Sequence, residues 1–324
     1  MMRSSRLGLL ALLVVTVMSV SSCSYYNRVL ARKNLVDGSK AYKDRKFQEA
    51  EQLFRDAVAR DPKGETVEGR TAQLFLARTL HSEFIGNRNE KDKADQAIAE
   101  YRKALQNDPN DQSSYKAIAS LLENQQKGDE WLNWVTERSK NEQIKPENRA
   151  EALVSLAAKK NTCAGDIDDT DKTKKTVTKD GKQVFQYVKP ENPEDLNTLR
   201  QCVNDGMALV DQALALEGPA GIDNAKNIDV KKASDEELKK KGDLLRVFES
   251  ARSYKASLLV HAMRLAEMEG RTADRDRFKS EADAAKQSFV DLSDVVKNIQ
   301  TEVDARTAAK EAAESANANA NSAK

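Results

Sequence analysis

The side chains that could carry chemistry are few and scattered. His81 and His261 lie far apart in sequence, neither in a ligand spacing such as His-Glu-x-x-His, so a metal site is not expected. Each reads as a residue of a helix surface or groove. Asp166, Asp168, Asp169 and Asp171 invite a calcium reading, but Asp171 falls where an EF-hand loop needs glycine. Val177 falls where the bidentate glutamate belongs, which leaves only a casual surface calcium site as an alternative. No glycine-rich phosphate loop and no Gly-x-Ser-x-Gly elbow occurs. Carboxylates are abundant, yet no pattern places two of them in an apolar cleft, as general acid–base work requires. We therefore expect no catalytic, cofactor-binding or metal-binding residues, and no enzyme.

Cysteine chemistry is more informative. Arg3 and Arg6 precede the apolar run Leu7 to Met18, which is too short to span a bilayer as a mature helix. Val20-Ser21-Ser22-Cys23 follows, and resembles a lipobox: an aliphatic residue, two small residues that admit a peptidase, and a cysteine whose thiol takes a diacylglyceryl group. Residues 1–22 then form a signal peptide, and Cys23 is the lipidated N-terminus of a tether over 23–33. Several acyl chains anchor a protein stably where one does not. Ser24 in place of Asp resembles the pattern that, in families with lipoprotein sorting, goes with the outer membrane, periplasmic face, with inner-membrane retention as the alternative. In an exported chain Cys163 and Cys202 read as a disulfide rather than two free thiols, the alternative being that Cys202 is a small apolar core residue.

The chain has 324 residues, 32% of them charged and 5% aromatic, with a formal net charge of +1. That composition suits stacked helices, and the charge gives no field for nucleic acid. Two segments repeat: Ala50, Phe54, Ala57, Asp61-Pro62, and Ala97, Tyr101, Ala104, Asp108-Pro109. The alanines let a neighbouring helix approach, the aromatic fills the gap between hairpins, and proline ends the helix. With Gly38, Phe47 and Leu76-Ala77 upstream, the chain resembles the tetratricopeptide-repeat family from about Asn34 to Pro109. The two prolines are 47 positions apart instead of the family's usual 34, and residues 84–92 read as the insertion.

Farther on the pattern loosens. Tyr115, Ile118, Leu121 and Leu122 give a third, degenerate unit, with Trp131 and Trp134 as core or as an exposed anchor. Repeats are assigned to 34–160. Residues 161–193 form an inserted loop or β-hairpin around Asp180-Gly181. Further helical hairpins occupy 194–305, with a Ser234/Glu237 capping box. Phe278, Ala282, Ala285, Phe289, Leu292, Val296, Ile299 and Val303 make a heptad seam. It either packs on Leu245, Phe248, Leu259 and Ala266 of the preceding helix, the preferred reading, or joins two copies. Residues 306–324, poor in large apolar side chains, are expected to be disordered. The fold class is thus all-α: a hairpin solenoid with a small β insertion and a long C-terminal helix.

The resemblance implies a partner-binding groove lined by the first helix of each hairpin. By register it includes Arg32, Leu35, Ser39, Tyr42 and Lys43, then Leu74, Arg78, His81 and Ser82, then Ser114, Ile118 and Leu121. Each has a solvated helix face as the plain alternative. The function implied is a membrane-anchored periplasmic scaffold that binds proteins in envelope assembly or secretion. Lipoproteins such as the β-barrel assembly helper and the pilus-secretin pilotin are of this kind, though the insertion and heptad helix match neither. A carbohydrate- or small-ligand-binding lipoprotein using Phe185 and Tyr187 of the insertion is the alternative.

Overall fold

The structure is a computed structural model describing residues 25–322. The segment expected to be a signal peptide (1–22), Cys23 and Ser24 lie outside the described residues. The fold is all-α apart from one antiparallel strand pair. It divides into two compact units, with the boundary between Trp131 and Leu132.

In the first unit helix α1 covers 25–43. It is followed by α2 (Phe47–Arg60), α3 (Val67–Gly86), α4 (Lys91–Asn107) and α5 (Gln112–Asn124). α2 packs on α3, α3 on α4, and α4 on α5. The repeat signature is the core: Ala50, Phe54, Ala57 and Ala97 are fully buried and Tyr101 nearly so. Gly38 lies where α1 crosses α2, and a Cβ there would come within 2.7 Å of the Phe54 ring, so only hydrogen fits. The Asp of Asp-Pro is as important as the proline. Asp61 accepts from the Glu65 and Thr66 N–H groups at 3.0 and 2.8 Å and from the Thr66 hydroxyl at 2.7 Å. Thr66 then caps α3 by accepting from Gly69 N–H.

Two sequence expectations need correction here. The first helix starts at 25, not after a tether ending at 33, because Ala31 is buried and Arg28 pairs with Glu68 of α3 at 3.0 Å. The length of the second repeat lies in its helices, α3 with 20 residues and α4 with 17. The connecting turn is only 87–90.

Helix α6 (Gly128–Lys140) spans the boundary; Trp131 is buried and Trp134 half-buried. The second unit continues with α7 (Pro146–Asp168), β1 (Lys174–Lys179), β2 (Lys182–Tyr187) and α8 (Pro193–Leu214). Two short helices follow, α9 (Glu217–Ala220) and α10 (Ile222–Lys226), then α11 (Asp235–Met268) and α12 (Thr272–Ser322). α7 packs on α8, both pack on α11, and α11 lies along α12. Ser234 caps α11 by accepting from Glu237 N–H at 3.2 Å. The heptad seam meets α11 within the chain: Leu292, Val296 and Ile299 share a core with Leu245 and Phe248.

Two further boundaries are corrected. α7 runs to Asp168 and not to 160, so the insertion starts later; Ala164 and Asp168 are fully buried and hold the extra turns. The expected disorder from 306 is replaced by helix to Ser322. Arg306 donates to the Ala233 and Val230 carbonyls at 2.8 and 2.9 Å and pairs with Asp235, which holds this stretch against the start of α11.

Candidate protein-binding face

In α1 the positions Leu35, Ser39 and Tyr42 are half-buried and Lys43 and Arg32 exposed; in α3 Leu74, Arg78, His81 and Ser82 are half-buried. These residues sit between core and solvent, where a binding surface has to be. The Ser82 hydroxyl donates to the Arg78 carbonyl at 2.9 Å, so the Tyr42 hydroxyl, 3.1 Å away, is the donor between the two. That bond joins α1 to α3. The Tyr42 ring meets Phe47 and Phe75 edge-on, with centroids 5.5 and 6.2 Å away, and Phe75 stacks on Phe54 at 5.4 Å. Aromatic contacts of this kind hold a side chain in one orientation. Ser39 turns its hydroxyl back to the Leu35 carbonyl at 2.7 Å, so it supplies shape rather than a free donor.

Arg78 lies 5.6 Å above the Phe75 ring and reaches Ser113 of α5 at 3.5 Å. His81 Nδ1 is 3.5 Å from the Tyr101 hydroxyl, and the two rings meet edge-on. Burial, with a smaller contribution from the Arg88 charge, lowers the His81 pKa below its usual value. Burial likewise raises that of the Tyr101 phenol. Near neutral pH the pair is therefore an uncharged imidazole beside a protonated phenol. The face thus spans α1, α3 and the start of α5, and is aromatic, hydroxylated and cationic. Phe75 and Ser113 belong to it and escaped the sequence reading; Phe75 was hidden because α3 is apolar on most sides. Ser114, Ile118 and Leu121 do not belong to it. All three are fully buried, because the third unit turns that stripe into core.

One pair of carboxylates has its pKa values driven apart. Lys93 of α4 bridges Glu51 of α2 and Glu83 of α3. Burial, reinforced by the Glu51 charge, raises Glu83 against the pull of Lys93. Burial also acts to raise Glu51, but Lys93 and Arg55 outweigh it and hold Glu51 low. Such polarity suits acid–base catalysis. Here it lies between three packed helices, with the Glu83 side chain 5% exposed, and serves to pin them together.

In the second unit Cys163 and Cys202 are disulfide-bonded, joining α7 to α8 with Cα atoms 6.2 Å apart. His261 is a buried residue and not a surface one: its Nδ1 is 2.7 Å from Asp168, which also accepts from Arg264 at 2.9 Å. Asp169 pairs with Lys174 and Arg264. Among the described residues no group of three or more His, Cys, Asp or Glu is arranged to hold a metal ion. Arg264 lies over the half-buried Tyr187 ring at 4.7 Å, whereas Phe185, with Lys174 4.5 Å from its ring, is 59% exposed. Among the described residues no helix is long and apolar enough to cross a membrane.

No protein-family model matches the chain, and no curated protein matches it. One solved structure, described as the functional characterization of Pseudomonas aeruginosa pilF, aligns with 82% of this chain and 97% of that one. The identity is 16% and the TM-score 0.32, too slight a likeness to build on.

Proposed function

We propose that this chain is a lipid-anchored scaffold of the bacterial envelope that binds partner proteins through the face formed by α1, α3 and α5. The observation that carries the binding half is the Tyr42–Ser82 and Arg78–Ser113 linkage. It brings an aromatic, a guanidinium and several hydroxyls together across three helices. Tyr and Arg so placed are the side chains that dominate protein interfaces, because they contribute large contact areas with little motion left to lose. The anchoring half rests on Val20-Ser21-Ser22-Cys23. It is supported by Tyr25 and Tyr26, 74% and 62% exposed at the start of α1, which suit a membrane–water interface. Outer-membrane attachment facing the periplasm is the location this reading implies. For the carbohydrate alternative the insertion offers one open ring, Phe185, since Tyr187 is half-buried beneath Arg264.

Fractionating cells that carry Cys23→Ala tests the anchor. The variant should leave the membrane fraction for the soluble one, and its retention in the membrane would contradict lipidation at this cysteine.

A further inference from the structure

The inserted ribbon leaves one strand edge open. Asp180 and Gly181, both with positive φ (50° and 74°), make a two-residue turn that pairs Lys179 with Lys182. From that closing pair, bonded and non-bonded positions alternate along the ladder. Thr176 and Thr178 on β1, and Gln183, Phe185 and Tyr187 on β2, therefore direct their backbone groups away from the other strand. On β2, Tyr187 N–H donates to Glu267 at 3.2 Å and the strand packs on α11. On β1, Lys174 N–H is taken by the Thr170 carbonyl at 2.8 Å. Beyond it Thr176 and Thr178 present unpartnered donors and acceptors among the described residues.

Charge at this edge is one-sided. Residues 171–189 hold six lysines against two aspartates, a local +4 in a chain of net +1. Of these lysines only Lys174 has a carboxylate partner, Asp169, among the described residues. Lys175, Val177 and Lys179 share one face of β1. Lysines on an open edge repel a second copy of the same ribbon, which would set like charges in register. The same lysines favour a strand of opposite charge, so one device excludes self-pairing and selects the partner.

We propose that the outer edge of β1 is a docking edge for an extended acidic segment of a partner protein. The segment adds as a third strand, with acidic side chains facing Lys175 and Lys179 and an apolar one facing Val177. The proposal depends on neither the reading of the α1–α3–α5 face nor the lipid anchor.

The full-length chain reconstituted in phosphatidylcholine vesicles is titrated with a short peptide of alternating Glu and Val, one of alternating Lys and Val, and phosphatidylglycerol vesicles. The acidic peptide should bind and the basic one should not, and amide exchange at Thr176 and Thr178 should slow on binding. Lys175→Glu with Lys179→Glu should weaken binding at least about tenfold. Thr176→Pro should weaken it comparably, because it deletes one outward donor without touching a ladder bond. Thr178→Val keeps its N–H and should bind as the parent does, which controls for folding of the ribbon. Equal binding of both peptides, or full binding by Thr176→Pro, would overturn the proposal. So would lysine-dependent binding to the phosphatidylglycerol vesicles without binding to the acidic peptide.

Discussion

At the scale of single residues, Gly38 and His81 are where the account is most exposed. Gly38→Ala would drive a methyl into the Phe54 ring at 2.7 Å, and the repeat aromatic has no space to retreat because it is fully buried. Overpacking of this kind costs about 1–3 kcal/mol. Chemical unfolding of Gly38→Ala should show a loss in that range, and an unchanged midpoint would mean that α1 does not cross α2 here. For His81 the sign follows from its lowered pKa. The unfolded chain binds the imidazole proton more readily than the folded one. Stability is therefore lost as pH falls below the ordinary histidine value of 6.5. His81→Gln should flatten the dependence of the thermal midpoint on pH just below that value, and an identical slope in variant and parent would remove the burial argument. Both residues stand out in sequence, Gly38 by its place ahead of the alanine signature and His81 by rarity. What sequence could not show was their contacts: His261 has the same residue type on the same kind of helix, yet is closed against Asp168.

At the scale of elements, helix pairs are held by local devices of very different strength. Lys93 joins three helices through Glu51 and Glu83, so Lys93→Met leaves two carboxylates facing each other in a partly buried site. Removing one partner of a fully buried pair costs more than removing one of an exposed pair, and Lys93 lies between those limits. A loss of about 2–3 kcal/mol in denaturant unfolding is expected. A loss no larger than for an exposed i,i+3 pair such as Lys297–Asp294 would show the bridge to be decorative. The Cys163–Cys202 disulfide closes a loop of 39 residues and ties the base of the ribbon. Its reduction, or Cys163→Ser with Cys202→Ser, should lower stability by about 4 kcal/mol on the chain-entropy estimate. Elements were legible where a local rule sets them: proline and serine starts, the Asp180-Gly181 turn and the 4-3 seam of α12 all appear where their residues indicate. Boundaries set by tertiary contacts were not. α7 gained two turns because Asp168 meets His261 and Arg264, far along the chain, and α12 outran its apolar seam because Arg306 reaches the loop before α11.

At the scale of the whole molecule, the two proposed binding surfaces differ in character, an aromatic and cationic helix face in the first unit and a lysine-edged strand in the second. The helix face was partly legible, since register along α1 and α3 singled out Tyr42, Arg78 and His81, which lie half-buried on those helices. It failed at α5, where the alanine signature is missing and large apolar residues close the stripe into core. The most direct test of the scaffold is site-specific crosslinking in cells. A photoreactive phenylalanine analogue replaces Lys43, exposed at the end of α1, and in a separate strain replaces Lys279, exposed on α12. The account predicts a discrete protein adduct from position 43 that is absent from position 279 and is lost when Tyr42→Ala and Arg78→Ala are introduced together. No adduct at position 43, or the same adducts from both positions, would contradict it.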